Sequence, residues 1–155
     1  MVQMYSKHLS KDAFVIFLFH GVIEKDDYEF RNSGRKHLQA GYFRGILKDL
    51  LEYGSPITMD DVVSINKQEK RLPHNLFAIT FDDGFENNYS VAVPILKELK
   101  IPATFYITTD FVSRNQMSWI DRIEYCLNKI KAGKEVRIDA LNYERLGKTK
   151  GIRCK

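Results

Sequence analysis

Phe77-Ala78-Ile79-Thr80-Phe81 runs straight into Asp82-Asp83-Gly84, and no other stretch of the chain restricts its fold so tightly. Apolar and β-branched residues without polar alternation signal an interior strand when the run is about four to eight residues long. Two carboxylates then follow without a spacer. Side by side they repel, a cost most easily borne when a cation lies between them or when one works as a base. Gly84 allows a sharp turn, with positive φ where needed. In open α/β sheets ligands collect at the carboxyl ends of the strands, which is where Asp82 and Asp83 fall. A turn whose aspartates cap the next helix explains the same residues, and spacing alone does not choose between the two.

Wider context does choose. Thr80-Phe81-Asp82-Asp83-Gly84 is followed about twenty residues later by Pro102-Ala103-Thr104-Phe105-Tyr106, with the helical stretch Asn88-Tyr89-Ser90-Val91-Ala92-Val93-Pro94-Ile95-Leu96-Lys97 between them. Upstream stands Phe19-His20-Gly21-Val22, and downstream Trp119-Ile120-Asp121-Arg122-Ile123-Glu124. Together these resemble the polysaccharide deacetylase (NodB-homology) family, also called carbohydrate esterase family four. The resemblance covers roughly residues 13 to 130. It implies an α/β fold, the N-terminal part of a distorted (β/α) barrel.

The chain alternates strand and helix. Residues 13 to 19 predict a first strand, apolar on both faces as an interior parallel strand must be, with His20 at its carboxyl end. Residues 24 to 36 are polar and read as a surface loop. Phe43, Ile46, Leu47, Leu50 and Leu51 fall at helical spacing and predict a helix from Tyr42 to Tyr53, stopped by Gly54-Ser55-Pro56. Thr58 is a candidate N-cap with Asp60 and Asp61 in the first turn. These two aspartates imitate the later pair, but no apolar strand precedes them, so capping is their role. After the central strand and a turn through Phe85-Glu86-Asn87, the next helix should bury Val93, Leu96 and Leu99 with the stem of Lys100. Pro94 fits there if Ser90 lies near the N-cap. Residues 103 to 108 predict a third strand, parallel to the second. Trp119, Ile123, Leu127 and Ile130 share one side of an amphipathic helix. Three strands make about half a barrel, which would leave unpaired edges and part of its apolar interior exposed.

Charge and cysteine content narrow the remainder. The 155 residues suit one domain, and a 28% charged, 44% hydrophobic composition argues against wholesale disorder. The net charge of +4 is uneven: residues 129–155 hold nine basic and three acidic residues, leaving the rest at −2. Without interleaved aromatics this tail reads as solvated, with no nucleic-acid partner. Residues 144 to 155 show no apolar periodicity and no closing strand. Cys126 and Cys154 are too few for a secreted disulfide scaffold and are expected as thiols. The seven-residue run from Ala13 to Phe19 is at the short limit for a signal-peptide core and too short to span a bilayer, which leads to an expectation of a cytoplasmic chain without a transmembrane segment. The domain reading is an N-terminal extension (1–12), a partial deacetylase domain (13–130) and a basic tail (131–155) that reads as an interrupted continuation.

The resemblance implies removal of N-acetyl or O-acetyl groups from an acetylated carbohydrate with a divalent metal, commonly zinc. By motif position Asp82 matches the general base and Asp83 the metal-binding aspartate. His20 is either a histidine hydrogen-bonded at a strand end or a residue facing substrate. The family resemblance favours the second, and His20 is not taken as a metal ligand. The family's His-x-x-x-His ligands have no counterpart, because no two of His8, His20, His37 and His74 are four apart. Its later arginine-rich motif and acid histidine are absent too. The leading expectation is therefore a metal-dependent deacetylase cut short and inactive alone. A non-catalytic carbohydrate-binding or interaction remnant of the fold comes second. An aspartate-dependent phosphatase comes last, since it would need an Asp-x-Asp spacing.

Overall fold

The computed structural model describes residues 5–10, 13–25, 32, 35–68, 75–114, 116–129, 136–138, 143–145 and 152–154. The chain forms two compact units, one of residues 1–28 and 32–116 and one of residues 29–31 and 117–155.

The first unit is built on a parallel sheet. Strand β1 (Phe14–Phe19) is followed by the short parallel pair β2 (Gly21–Ile23) and β3 (His37–Gln39), helix α1 (Ala40–Tyr53), β4 (Ser55–Pro56) and helix α2 (Met59–Gln68). Then come β5 (Leu76–Phe81), a π-helical turn (Asn88–Ala92), α3 (Val93–Leu99), β6 (Ala103–Phe105) and α4 (Thr109–Arg114). β5 is buried along its whole length and is the centre of the sheet. β1 runs parallel along its entire length, from Phe14 beside Leu76 to Phe19 beside Phe81. β4 pairs with the start of β5 and β6 with its end, both in parallel. Repeated β-helix-β passage with parallel pairing is what the strand-helix alternation in the sequence requires.

Apolar spacing explains the core. Phe43, Ile46, Leu47 and Leu50 of α1 are fully buried and pack with Phe17, Phe19, Phe77, Ile79 and Phe81 of the sheet. Each such side chain contributes about 1.5–3 kcal/mol by burial, taken as an upper figure. Asp49 shares this face of α1 because it has work there: its carboxylate accepts the amides of Tyr5 and Ser6, each at 2.9 Å, and the Ser6 hydroxyl at 3.1 Å. Asp49→Ala leaves those donors without their acceptor and should cost about 1–3 kcal/mol, read as a lower urea midpoint. A loss under a few tenths would mean that the N-terminal turn detaches at no cost. The cap of α2 is as expected. Thr58 Oγ accepts the Asp61 amide at 3.0 Å, and Asp61 returns bonds to the Thr58 amide and hydroxyl. These bonds hold the Asp61 carboxyl below its ordinary pKa. The cap is therefore complete above the usual aspartate range and weakens as pH falls through that lowered value.

Several expectations are corrected. Among the described residues β1 pairs with β5 alone, and one of its faces is covered: Phe17 and Phe19 are buried, whereas Ile16 is 42% and Leu18 53% exposed. β2 and β3 were not foreseen, because three-residue strands fall below the length at which periodicity shows. The third strand ends at Phe105, and Tyr106 and Ile107 are exposed beyond it. Ser90 is no N-cap. It lies inside the π-turn, where Val93 N–H donates to Asn88 O five residues back. That widened turn accommodates Pro94, whose ring would otherwise meet the carbonyl four residues earlier. The buried positions are Asn88, Val91, Ala92, Ile95 and Leu96, while Lys100 is exposed and closes the helix with a left-handed φ of 55°.

The second unit contains α5 (Trp119–Lys129) and a three-stranded antiparallel sheet of β7 (Val136–Ile138), β8 (Tyr143–Arg145) and β9 (Ile152–Cys154). Ser118 caps α5, its hydroxyl accepting the Asp121 amide at 3.1 Å. Trp119 is 70% and Ile123 42% exposed; the side chains of Leu127 and Ile130 lie outside the described residues. The strands correct the expectation of no closing strand in residues 144 to 155. Each is only three residues long, and their register sets Glu144 opposite both Arg137 and Arg153. Among the described residues no helix is long and apolar enough to cross a membrane.

Candidate active site

The register of the sheet fixes the site. Phe19, Phe81 and Phe105 stand side by side across β1, β5 and β6. Their rings pack into the core, with centroids 5.6 Å apart for Phe19–Phe81 and 5.0 Å apart, stacked, for Phe81–Phe105. The ladder continues one residue further. Asp82 N–H donates to Phe19 O at 3.0 Å, and Tyr106 N–H donates to Phe81 O at 2.8 Å. His20, Asp82 and Tyr106 therefore form the next row, at the carboxyl edge of the sheet. Strand alternation directs that row away from the aromatic core.

Immediately after this row the backbone reverses. Asp83 has φ 72° and Gly84 φ 71°, two successive left-handed residues. Aspartate is among the few side chains tolerated there, and strained positions of this kind cluster at functional sites. At Gly84 an added Cβ would lie 3.0 Å from Ile107 Cγ2, so that methyl would have to give by a few tenths of an ångström; the positive φ is what favours glycine there. Asp82 and Asp83 are both half-buried.

A second layer grips the turn from the side of β3. The Asn87 amide nitrogen lies 3.0 Å from His37 Nδ1, the His37 ring meets the edge of Phe85 with centroids 4.8 Å apart, and the Lys36 ammonium lies 4.6 Å over that same ring. Neither His37 nor Asn87 stood out in the sequence. The nearest signal was Gly21, whose need to be glycine becomes intelligible only with His37 beside it.

The donor set for a metal is partial. Among the described residues no group of three His, Cys, Asp or Glu is placed to hold a metal ion, whereas catalytic zinc usually takes three protein ligands. Asp82 and Asp83 supply at most part of such a site.

A parallel sheet with covering helices and a carboxylate turn at its carboxyl edge defines an α/β scaffold of the (β/α) barrel type, present here in part. The chain belongs to the polysaccharide deacetylase family, whose profile matches residues 69–149. Three solved structures share the fold. A de-N-acetylase from Aggregatibacter actinomycetemcomitans is 20% identical, with a TM-score of 0.57 over 68% of this chain and 42% of that one. The deacetylase PplD of Streptococcus pyogenes, solved with acetate, is 18% identical with a TM-score of 0.56 over 76% of this chain and 54% of its own. IcaB from Ammonifex degensii is 26% identical with a TM-score of 0.56, over 78% of this chain and 51% of its own. The chain thus spans about half the length of these relatives. No curated protein matches it.

Proposed function

We propose that the protein containing this chain is a metal-dependent carbohydrate deacetylase that hydrolyses N-acetyl, or O-acetyl, groups on a polysaccharide or its precursor. The observation that carries this reading is the Asp82-Asp83-Gly84 turn at the carboxyl end of the buried central strand, in a chain of the polysaccharide deacetylase family. The family is generally metal-dependent. Zinc is the metal proposed, with Asp83 one of its ligands and the others supplied by residues beyond those described. When bound, such an ion would polarise the acyl carbonyl.

The step assigned to this chain's own residues is proton transfer. Water adds to the acyl carbon while Asp82 accepts its proton at a carboxylate oxygen. The carbon–nitrogen bond then breaks, the nitrogen takes up the proton that Asp82 accepted and leaves as the free amine of the sugar, and acetate departs. The acetate bound to PplD supports a pocket of this fold accommodating that product. His20, in the same row as Asp82, is proposed to face the substrate.

A second reading, a carbohydrate-binding module without catalysis, is favoured by the lack of a three-ligand group among the described residues. One experiment separates them. The full-length protein is incubated with N-acetylglucosamine oligomers, and acetate is measured before chelation, after it, and after zinc is restored. Acetate release that stops and returns supports the enzyme; sugar binding without acetate under all three conditions overturns it.

A further inference from the structure

We propose that His37 is a positioning residue for the carboxylate turn: it rests against Gly21, holds Asn87 and Phe85, and so fixes Asp83 and Gly84 from outside the sheet. The inference rests on the deacetylase reading for its consequence, though not for its geometry.

Three independent features converge on His37. First, its backbone is clamped on both sides. β3 pairs in parallel with β2, Gly21 beside His37. On the other side Asn32 stands where another strand would pair: its Oδ1 accepts the His37 amide at 2.7 Å and its Nδ2 donates to the His37 carbonyl at 2.8 Å. Second, the ring fills the space that a side chain at position 21 would need. A Cβ on Gly21 would lie 2.1 Å from His37 Nδ1 and 2.7 Å from Asn87 Oδ1, so glycine is what lets ring and amide meet over β2. Third, the ring engages both ends of a single turn. Asn88 N–H donates to Phe85 O at 2.9 Å, and His37 touches Phe85 and Asn87 inside that turn. Phe85 is two residues from Asp83, which is held at a φ that few side chains adopt.

The arrangement has a functional sense. Asp82 is already fixed by the ladder through its amide, but Asp83 and Gly84 lie past the last ladder bond of β5. Their left-handed conformation must be held from downstream, and His37 is what holds it. A displacement of about 1 Å at reacting groups costs on the order of a hundred-fold in rate, so a loosened turn should be visible in turnover.

The test uses the full-length protein and two ways of removing the ring. His37→Ala deletes it, and Gly21→Ala pushes it aside while leaving histidine in place. Hydrogen exchange is read at the Asn88 amide, which closes the turn on Phe85 O, and at the Phe77 to Asp82 amides of the sheet as the control. Both variants should exchange about tenfold faster at the turn, the worth of one hydrogen bond, with β5 unchanged. His37→Asn, which can accept from Asn87 in place of Nδ1, should restore much of the protection. In the acetate assay kcat should fall about a hundred-fold with KM within about twofold, as for an interaction that acts only at the transition state. Wild-type exchange at the turn in both variants overturns the proposal. So does exchange that rises equally through β5, which would make the contact merely structural. Loosening without loss of kcat overturns the catalytic consequence. If wild-type protein releases no acetate, the deacetylase reading fails, while the exchange measurements still judge the clamp.

Discussion

Asp82→Asn should keep whatever metal the full-length protein binds yet lose about a hundred- to ten-thousand-fold in turnover, the usual cost of removing a general base. The amide preserves the size of the side chain and cannot take the proton of water. Its backbone should not move, because the Asp82 amide is bonded to Phe19 O. Asp83→Ala should lose metal and turnover together. Alanine at a left-handed φ carries its own strain of about 1–2 kcal/mol, so Asp83→Asn is the necessary companion: asparagine tolerates that φ and removes only the charge. Metal content and acetate release are measured for all three at neutral pH. Near wild-type acetate release by Asp82→Asn, or full metal retention by Asp83→Asn, would sink this division of roles. Asp82 still continues the ladder of the sheet, and the bend at Asp83 and Gly84 takes the second aspartate off it.

Phe81→Ala should cost about 3–5 kcal/mol, the usual cost of truncating a buried phenylalanine. The ring is fully buried and meets Phe19, Phe43 and Phe105, with centroids 5.6, 5.8 and 5.0 Å away. Three aromatic partners on rigid elements cannot close over the gap, which places the cost towards the upper end. Urea unfolding should show a lower midpoint with an unchanged slope. Phe81→Leu should cost markedly less. A Phe81→Ala loss under about 1 kcal/mol would mean that the sheet repacks freely and that the aromatic row does not brace the site.

The sequence was most informative where one residue pattern had one physical solution. The apolar and β-branched run from Phe77 to Phe81 reads as an interior strand, and β5 is buried throughout. Thr58 with Asp61 could only cap, and does so reciprocally. Where the pattern had two solutions the reading slipped. Ile16 and Leu18 are as apolar as Phe17 and Phe19, yet they stand on the exposed face of β1, which no composition within β1 encodes. In the helix after the carboxylates Leu96 is buried and Leu99 packs against the core as expected, whereas Val91, Ala92 and Ile95 join them and Lys100 stays exposed, because a π-turn changes the spacing that ordinary helical periodicity assumes. The site was half legible. Asp82 and Asp83 announced themselves as adjacent charges at a strand end, whereas Tyr106 and His37 join them through register and through Gly21, relations that exist only once distant segments are side by side.

The π-turn has a consequence for how this helix tolerates insertion and deletion. Deleting one residue between Asn88 and Ala92 would convert the stretch to ordinary helix and rotate its start by roughly 100° against α3. Asn87 would swing off the His37 ring, Asn88 would leave its buried place beside β2, and Pro94 would regain the carbonyl clash it now avoids. Phase in this helix is therefore set by a single surplus residue between the carboxylate turn and Lys100, which ends it.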